Sequence, residues 1–343
     1  MPNNHAGSPL EIHTLSNLQN VKVSITNFGG KVVSILAPDR YGNFKDIVLG
    51  YDTAEEYVKG NPYFGALIGR YGNRIAKGQF SLNGDTYQLS INSRIDTLHG
   101  GPAGFHNRIW KIENKSASEI ELSLVSADGE EGYPGELSVN VRYSLNDANE
   151  LAIDYFAETD KTTIVNLTNH PFFNLKGEGN GDILQHDIKI LADRFTPVDE
   201  RLIPTGEIWS VEGTALDFRS FATIGTRINA NEEQITFGRG YDHNWVLDKN
   251  DRELSLAACV RETSSGRELE VWTTEPGLQF YSGNFLDGTD VGKGGKPYGF
   301  RSAFCLEAQH FPDSPNHPNF PSTILKPGEK YLQKTVYKFG IFS

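Results

Sequence analysis

Apolar and polar residues alternate with a period of two in short runs along the whole chain, and this pattern decides the fold class. Four of the clearest runs cover residues 21–25, 120–124, 139–143 and 254–258. Successive side chains of a β-strand point to opposite faces, so each run predicts a strand with one face in a core. No linker or break in composition separates the runs. The sequence therefore predicts an all-β fold, a large antiparallel β-sandwich with few short helices, in which residues 1–343 form a single domain.

Turn and helix signals lie between these runs. The dipeptide Asn83-Gly84 separates two alternating segments, residues 80–82 and 85–89, and favours the type I′ turn of a β-hairpin. The clearest helix signal is DTAEEYVKG at residues 52–60, which has capping residues at its start, two glutamates in its first turn and a glycine at its end. We expect one or two helical turns there.

The charge balance and the cysteine count exclude several classes of protein. The chain has 32 Lys and Arg against 44 Asp and Glu, and this net charge of −12 opposes binding to nucleic acid. No stretch approaches the roughly 18 apolar residues of a transmembrane helix, and the first residues show no secretion signal. Cys259 and Cys305 lack zinc-ligand spacing and are predicted to be free, buried thiols. We expect a cytoplasmic protein with no nucleic-acid or membrane partner, and the sequence indicates no oligomeric state.

The familiar cofactor motifs are missing from the sequence. GTDVGK at residues 288–293 has three residues between its glycines where a P-loop has four. Gly238-Arg239-Gly240 lacks the third glycine of a dinucleotide fingerprint, and the nine histidines include no H-x-H or H-E-x-x-H pair. The sequence predicts no cofactor and no local metal site. It leaves open a metal site assembled from residues that are distant in the chain.

Two segments place ionisable residues inside strand-like sequence. In TTIVNLTNHPFFNL, His170 is flanked by three asparagines and a threonine, side chains that can hydrogen-bond an imidazole or a sugar. In SAFCLEAQHFPD, Glu307 alternates with apolar residues, so its side chain points away from the face that carries them. That second face is either solvent or the wall of a pocket. Taken alone, a structural histidine and a surface glutamate explain both segments.

Three further segments carry clustered polar residues. GRGYDHNWVL places Asp242 between a glycine-rich turn and an apolar strand, where a loop-borne ligand contact is expected. FGALIGRYGNRIAKG contains Asn73 and Arg74, and LHGGP contains His99. Taken alone, a salt-bridged surface group is the simpler explanation of an arginine in such a segment.

Together these segments resemble the aldose 1-epimerase family. From about Val21 to Phe339 the family's motifs occur in order: GRYGNRIAKG, LHGG, NLTNHPFFNL, GYDHNW, GLQFYSGN and CLEAQHFPDSPNHPNFPS. Six motifs in the family order are specific, whereas any one of them is weak. The chain departs from the family at Phe172, where tyrosine is common, and so lacks one hydroxyl near His170.

The resemblance implies a β-sandwich with an open sugar cleft and an enzyme that interconverts the α and β anomers of free hexoses such as D-galactose and D-glucose. It implies Glu307 as the base for the C1 hydroxyl proton and His170 as the acid for the ring oxygen. The sugar contacts that it implies are Asn73, Arg74, His99, Asp242 and Gln279. No cofactor is implied, because only protons move.

The sequence leaves three alternatives open. The nearest is a hexose-phosphate epimerase, against which the negative net charge and the lack of a basic cluster beside the motifs argue. A non-catalytic sugar-binding module needs neither acid nor base. A glycosidase would use the carboxylates of Asp242 and Glu307. For an epimerase, we expect nearby carboxylates to raise the pKa of His170 above about 6.5, with kcat falling as pH rises through that pKa.

Overall fold

The computed structural model describes residues 9–61, 63–250 and 252–342. The pairings between the strands named below are antiparallel, as the alternation predicts. Numbered along the chain, the strands are β1 Ile12–Ser16, β2 Lys22–Thr26, β3 Val32–Pro38, β4 Phe44–Asp46, β5 Ala66–Ile68, β6 Arg74–Ile75, β7 Gln79–Leu82, β8 Asp85–Gln88, β9 Thr97–Leu98, β10 Lys111–Lys115, β11 Glu119–Ser126, β12 Leu137–Leu145, β13 Glu150–Thr159, β14 Thr163–Ile164, β15 Thr168–His170, β16 His186–Ile190, β17 Arg194–Thr196, β18 Trp209–Ser210, β19 Ala222–Thr223, β20 Asp242–Val246, β21 Ser255–Glu262, β22 Arg267–Thr273, β23 Gly277–Tyr281, β24 Cys305–Gln309, β25 Ile324–Leu325 and β26 Tyr331–Ile341.

The helices are short. The α-helices are α1, Ala54–Lys59, and α2, Glu233–Gly238. Single 3₁₀ turns lie at Ala76–Gly78, Phe105–Asn107, Glu130–Gly132, Ile224–Thr226, Lys293–Gly295 and Ser314–Asn316. Helix α1 confirms the predicted helix, and Thr53 and Glu56 form a capping box at its start. Within the described ranges, no helix has both the length and the apolar character needed to cross a membrane.

The predicted hairpin and the predicted free thiols are also present. Strands β7 and β8 pair across Asn83 and Gly84, whose φ angles of 55° and 92° are the positive values that a type I′ turn requires. Cys259 and Cys305 are free and buried. Burial raises the pKa of Cys259 to about 12 and that of Cys305 well above its usual value, so both stay protonated thiols.

Three sheets build the body of the molecule. The largest has nine strands in the order β10-β11-β12-β13-β26-β22-β21-β16-β19, so it joins strands from both halves of the chain. The second has the order β18-β17-β20-β23-β24 and the third the order β1-β2-β3-β4. Apolar side chains of all three sheets, such as Ile153, Leu306 and Ile25, belong to one continuous core. The fold is thus the large antiparallel β-sandwich that the sequence predicts.

The five-stranded sheet positions the candidate site residues. Strand β23 lies between β20 and β24, which places Gln279 opposite Glu307. Strand β15 lies beside this sheet because Phe173 forms a β-bridge with Phe304, immediately before β24. His170, at the end of β15, is thereby brought next to Glu307.

Candidate active site

The acid and the base proposed from the sequence lie side by side. His170 Nε2 is 3.4 Å from Glu307 Oε1, and the two side chains are only 7% and 2% exposed. Glu307 is in the middle of β24, where Leu306 and Ala308 on the other face belong to the core, so the alternation predicted its direction correctly. Of the two possible faces, solvent or pocket wall, the structure shows the pocket wall.

A cavity of about 300 Å³ opens onto this pair. Its walls include six of the seven residues proposed from the sequence: Asn73, Arg74, His99, His170, Asp242 and Glu307. The seventh, Gln279, does not line the cavity but donates a hydrogen bond from Nε2 to Asp242 Oδ1 at 2.8 Å. Gln279 therefore orients a carboxylate of the wall.

Asp242 lies on a strand, whereas the sequence indicated a loop position. The turn after α2, in which Arg239 and Gly240 have positive φ angles of 55° and 134°, leads directly into β20. Pairing of β20 with β23 already includes Asp242, which stands opposite Tyr281. This ladder begins three residues before the apolar run that starts at Trp245. The Asp242 carboxylate faces Arg74, with Oδ2 3.7 Å from Nη2.

The short pairing of β6 with β9 holds Asn73, Arg74 and His99 at the cavity. Asn73 and His99 are joined by two hydrogen bonds: the His99 backbone N–H donates to the Asn73 carbonyl at 3.0 Å, and the Asn73 backbone N–H donates to His99 Nδ1 at 3.1 Å. Burial lowers the pKa of His99 well below its usual value, so the ring is neutral. With Nδ1 accepting, its proton is on Nε2 and can be donated to a sugar oxygen.

Three ligand-type side chains converge at the floor of the cavity. Single atoms of His99, His170 and Glu307 lie within 4.8 Å of one another, a set that can hold a metal ion. A metal ligand at His99 Nε2 requires the unprotonated nitrogen, whereas the hydrogen bond to Nδ1 puts the proton there. The contacts therefore favour a hydrogen-bond donor at His99.

Burial shifts the pKa values of the pair toward the uncharged forms. It lowers the pKa of His170 to about 3. It also raises the pKa of Glu307 well above 4.5, assisted by the charge of Asp242 and opposed by Arg74. The expectation that carboxylates raise the pKa of His170 is therefore wrong, because desolvation of the imidazolium outweighs their attraction.

Aromatic rings pack against the imidazole of His170. Phe172 stacks on it with ring centroids 4.8 Å apart, and Tyr63 lies nearly parallel to it at 6.1 Å. Tyr63 and Phe285 also line the cavity and were not predicted from the sequence. Both lie next to motifs, Tyr63 just before FGALIGR and Phe285 just after GLQFYSGN, and this adjacency was the available signal.

The sequence matches a known family over nearly its whole length. The family model described as Aldose 1-epimerase matches residues 11–338. Galactose mutarotase from Bos taurus is 48% identical over 337 residues, which cover 97% of this chain and 96% of that protein. Aldose 1-epimerase from Escherichia coli (strain K12) is 40% identical over 335 residues, with coverage of 97% and 96%.

Solved structures with the same architecture carry related names. An aldose epimerase homologue from C. elegans has a TM-score of 0.90 and 31% sequence identity, covering 98% of this chain and 100% of that chain. Galactose 1-epimerase from Lactobacillus acidophilus NCFM has a TM-score of 0.86 and 28% identity, covering 100% of this chain and 98% of that chain. The region matched by the family model contains the whole cavity wall.

Proposed function

Since the chain belongs to the aldose 1-epimerase family, we propose that Glu307 is the base and His170 the acid with which it opens and closes the hexose ring. The protein is an isomerase that interconverts the anomers of hexoses such as galactose. The observation that supports these two roles is the separation of 3.4 Å between His170 Nε2 and Glu307 Oε1. The C1 hydroxyl and the ring oxygen are bonded to the same carbon, so the groups that serve them must be adjacent.

Ring opening needs two proton transfers. Glu307 takes the proton from the C1 hydroxyl while His170 donates a proton to the ring oxygen. The bond between C1 and the ring oxygen breaks, its electron pair goes to the ring oxygen, and C1 becomes an aldehyde. After rotation about the C1–C2 bond, the former ring oxygen bonds to C1 and gives its proton to neutral His170. The carbonyl electron pair goes to the aldehyde oxygen, which takes the proton of Glu307, and the opposite anomer is formed.

The buried environment assists this exchange. Before ring opening the pair is carboxylate and imidazolium, and after ring opening it is carboxylic acid and neutral imidazole. Burial favours the second arrangement, because it lowers the pKa of His170 and raises that of Glu307. The attraction of opposite charges at 3.4 Å favours the first. The ionised pair and the neutral pair are thus brought closer in free energy. This suits a reaction that must run in both directions.

The remaining polar groups are assigned to sugar binding. Asp242 accepts hydrogen bonds from hydroxyls, and Arg74, Asn73 and the His99 Nε2–H donate to sugar oxygens. Asp242 is held by Gln279 at 2.8 Å, which leaves its Oδ2 atom for the ligand and for Arg74. These residues position the sugar, and the transferred protons belong to the pair.

We include D-glucose as well as D-galactose among the substrates, because the two sugars differ only in the orientation of one hydroxyl. Polarimetry on freshly dissolved α-D-galactose and α-D-glucose, with and without the protein, tests both. A rotation change faster than in buffer is expected for each sugar. A rate equal to the spontaneous one would contradict the proposal, and release of the leaving group from a chromogenic galactoside would assign a glycosidase instead.

We place the reaction in the cytoplasm and assign it to the chain as one domain. Cys259 and Cys305 are buried free thiols, which is typical of proteins from reducing compartments. The nine-stranded sheet contains strands from both halves of the chain, which supports a single cooperative unit. Cell fractionation tests the location, and one coincident unfolding transition by circular dichroism and tryptophan fluorescence tests the single domain.

A further inference from the structure

A second pocket adjoins the sugar cavity, and its wall is rich in arginine. It has a volume of about 250 Å³, and its walls include the side chains of Arg74, Arg94, Arg201, Arg239, Glu200 and Phe285. Arg74 and Phe285 line both cavities, so the second pocket begins where the sugar cavity ends. We call it the arginine pocket. No basic cluster is visible beside the motifs in the sequence, because Arg94 and Arg201 come from segments outside them.

The arginines differ in whether the protein neutralises them. Arg201 is paired with Asp96 at 2.8 Å and with Asp199 at 3.2 Å. Arg94 and Arg239 have no carboxylate within ion-pair distance among the residues that the structure describes. Two exposed guanidinium groups therefore remain available at one pocket of a chain whose net charge is −12.

The fold holds these two arginines at the pocket through backbone contacts. Arg239 caps the end of α2 with its backbone N–H, and its guanidinium lies 5.7 Å from the ring centroid of Phe285. Arg94 Nη1 lies 3.5 Å from the backbone oxygen of Glu200. The ion pair between Arg201 and Asp96 ties the loop of Glu200 to the loop of Arg94. Two loops and a helix end are thereby joined around one space.

We propose that the arginine pocket binds an oxyanion on the end of the aldose remote from C1, so that the enzyme also epimerises anionic aldoses. The planar guanidinium group matches the oxygens of carboxylates and phosphates and binds them more strongly than it binds neutral hydroxyls. With C1 at Glu307 and Asp242 beside Arg74, the far end of the sugar is directed toward the arginine pocket. This inference rests on the proposed function, because it takes the position of C1 from the roles of Glu307 and His170.

The test compares neutral and anionic aldoses on the same enzyme. Anomer exchange of D-galactose, D-galacturonate and D-galactose 6-phosphate is measured by proton saturation transfer between the two H1 signals, with the enzyme-free rate subtracted. We expect kcat/KM for an anionic sugar to exceed that for galactose at low ionic strength, and the excess to shrink as salt is added. A higher kcat/KM for galacturonate would show that the pocket binds a carboxylate, and a higher kcat/KM for the 6-phosphate would show that it binds a phosphate.

Variants separate this pocket from the catalytic site. Arg94→Gln and Arg239→Gln should each lower kcat/KM for the preferred anionic sugar by about tenfold or more. For galactose, kcat/KM should stay within about twofold of the wild-type value. Arg142→Gln, on strand β12, makes the same change in net charge at an exposed position outside the pocket. It should leave kcat/KM unchanged for both the neutral and the anionic sugar. Equal kcat/KM for neutral and anionic sugars would contradict oxyanion binding in the arginine pocket. So would equal losses of kcat/KM for both sugars in the two pocket variants. Failure to accelerate even galactose would overturn the proposed function instead.

Discussion

Arg70 and Arg74 lie four residues apart in the sequence GRYGNRI, yet they belong to regions with opposite properties. Arg70 is 1% exposed, and its Nη1 and Nη2 atoms donate to four backbone oxygens between Ser126 and Gly135 at 2.8–3.2 Å. Arg74 faces Asp242 at 3.7 Å, beyond hydrogen-bond distance. Both Nη atoms of the first guanidinium group are used by the fold, and the second group is free to meet a ligand.

Both regions contain buried polar atoms without a hydrogen-bond partner. Around Arg70, the Nη donors match the carbonyls of the 126–135 segment and fasten that segment to the chain, whereas the Nε atom has no partner. In the cavity wall, Glu307 Oε2 is buried without a hydrogen-bond partner. A buried polar atom without a partner destabilises the fold by about 1–3 kcal/mol. A bound ligand can supply the partner of Glu307 Oε2, which lines the cavity, whereas Arg70 does not line it.

The largest expected effect is at the catalytic end of the cleft. Glu307→Gln keeps the shape of the side chain but removes the proposed base, so kcat should fall on the order of 10²- to 10⁴-fold with the melting temperature unchanged. Polarimetry at saturating galactose measures it. The matched control is Glu268→Gln, whose carboxylate is paired with Arg261 on the nine-stranded sheet and should leave kcat unaltered. A Glu307→Gln variant with half the wild-type kcat would show that another residue is the base.

The next effect is on stability and lies at Arg70. Arg70→Met leaves several buried carbonyls without donors, so the free energy of unfolding should fall by about 3 kcal/mol or more. The kcat of the folded fraction should not change, because Arg70 does not line the cavity. Urea unfolding followed by fluorescence measures the first quantity and polarimetry the second. Arg142→Met, with an exposed arginine, is the control. A fall in kcat without loss of stability would show that Arg70 acts in the reaction, and Arg70 and Arg74 would then no longer differ in role.

The sequence predicts a feature well when neighbouring residues determine it, and poorly when residues distant in the chain determine it. Alternation in residues 304–308 is local, and it gave the strand and the direction of Glu307 correctly. The direction of the pKa shift of His170 depends on burial by many residues distant in the chain, and the sequence-based expectation was wrong. The roles of Arg70 and Arg74 also cannot be separated from their motif, because the carbonyls that bind Arg70 lie more than 50 residues away. The arginine pocket is assembled from loops and a helix end in the same way.

A moderate effect is expected for the groups that position the sugar. Asp242→Asn and Arg74→Gln remove hydrogen bonds that are similar in the ground state and in the transition state, so they should raise KM with little change in kcat. The loss of binding should be about 1–3 kcal/mol for each variant. Steady-state polarimetry with galactose and glucose measures both constants and shows whether either residue meets the C4 hydroxyl. A large fall in kcat at unchanged KM for Asp242→Asn would instead give that carboxylate a part in proton transfer.

The smallest expected effect is the response of the catalytic pair to acid. The proposed reactive pair carries one proton, which makes it neutral overall, and a second proton would give it a net positive charge at a buried position. That second proton binds to His170 as pH falls through its lowered pKa of about 3, and not through the ordinary value of 6.5. At the other limit, the single proton is lost as pH rises through the pKa of Glu307, which lies well above 4.5. Because two titrations are coupled, the limbs of the profile belong to the pair.

We therefore expect kcat/KM for galactose to change by less than about twofold between about pH 5 and about pH 4, since the lowered pKa of His170 puts the acid limb near 3. An unperturbed glutamate with a pKa of 4.5 would place that limb inside the range. Polarimetry in buffers of constant ionic strength measures the profile, and circular dichroism at each pH verifies that the protein is folded. Nitrogen-15 chemical shifts of the imidazole, assigned by comparison with His170→Asn, report directly on the proton. A midpoint near 6.5 in those shifts would show that the attraction of Glu307 compensates for burial. The charge of His170 would then be satisfied by the protein itself, as the Nη atoms of Arg70 are.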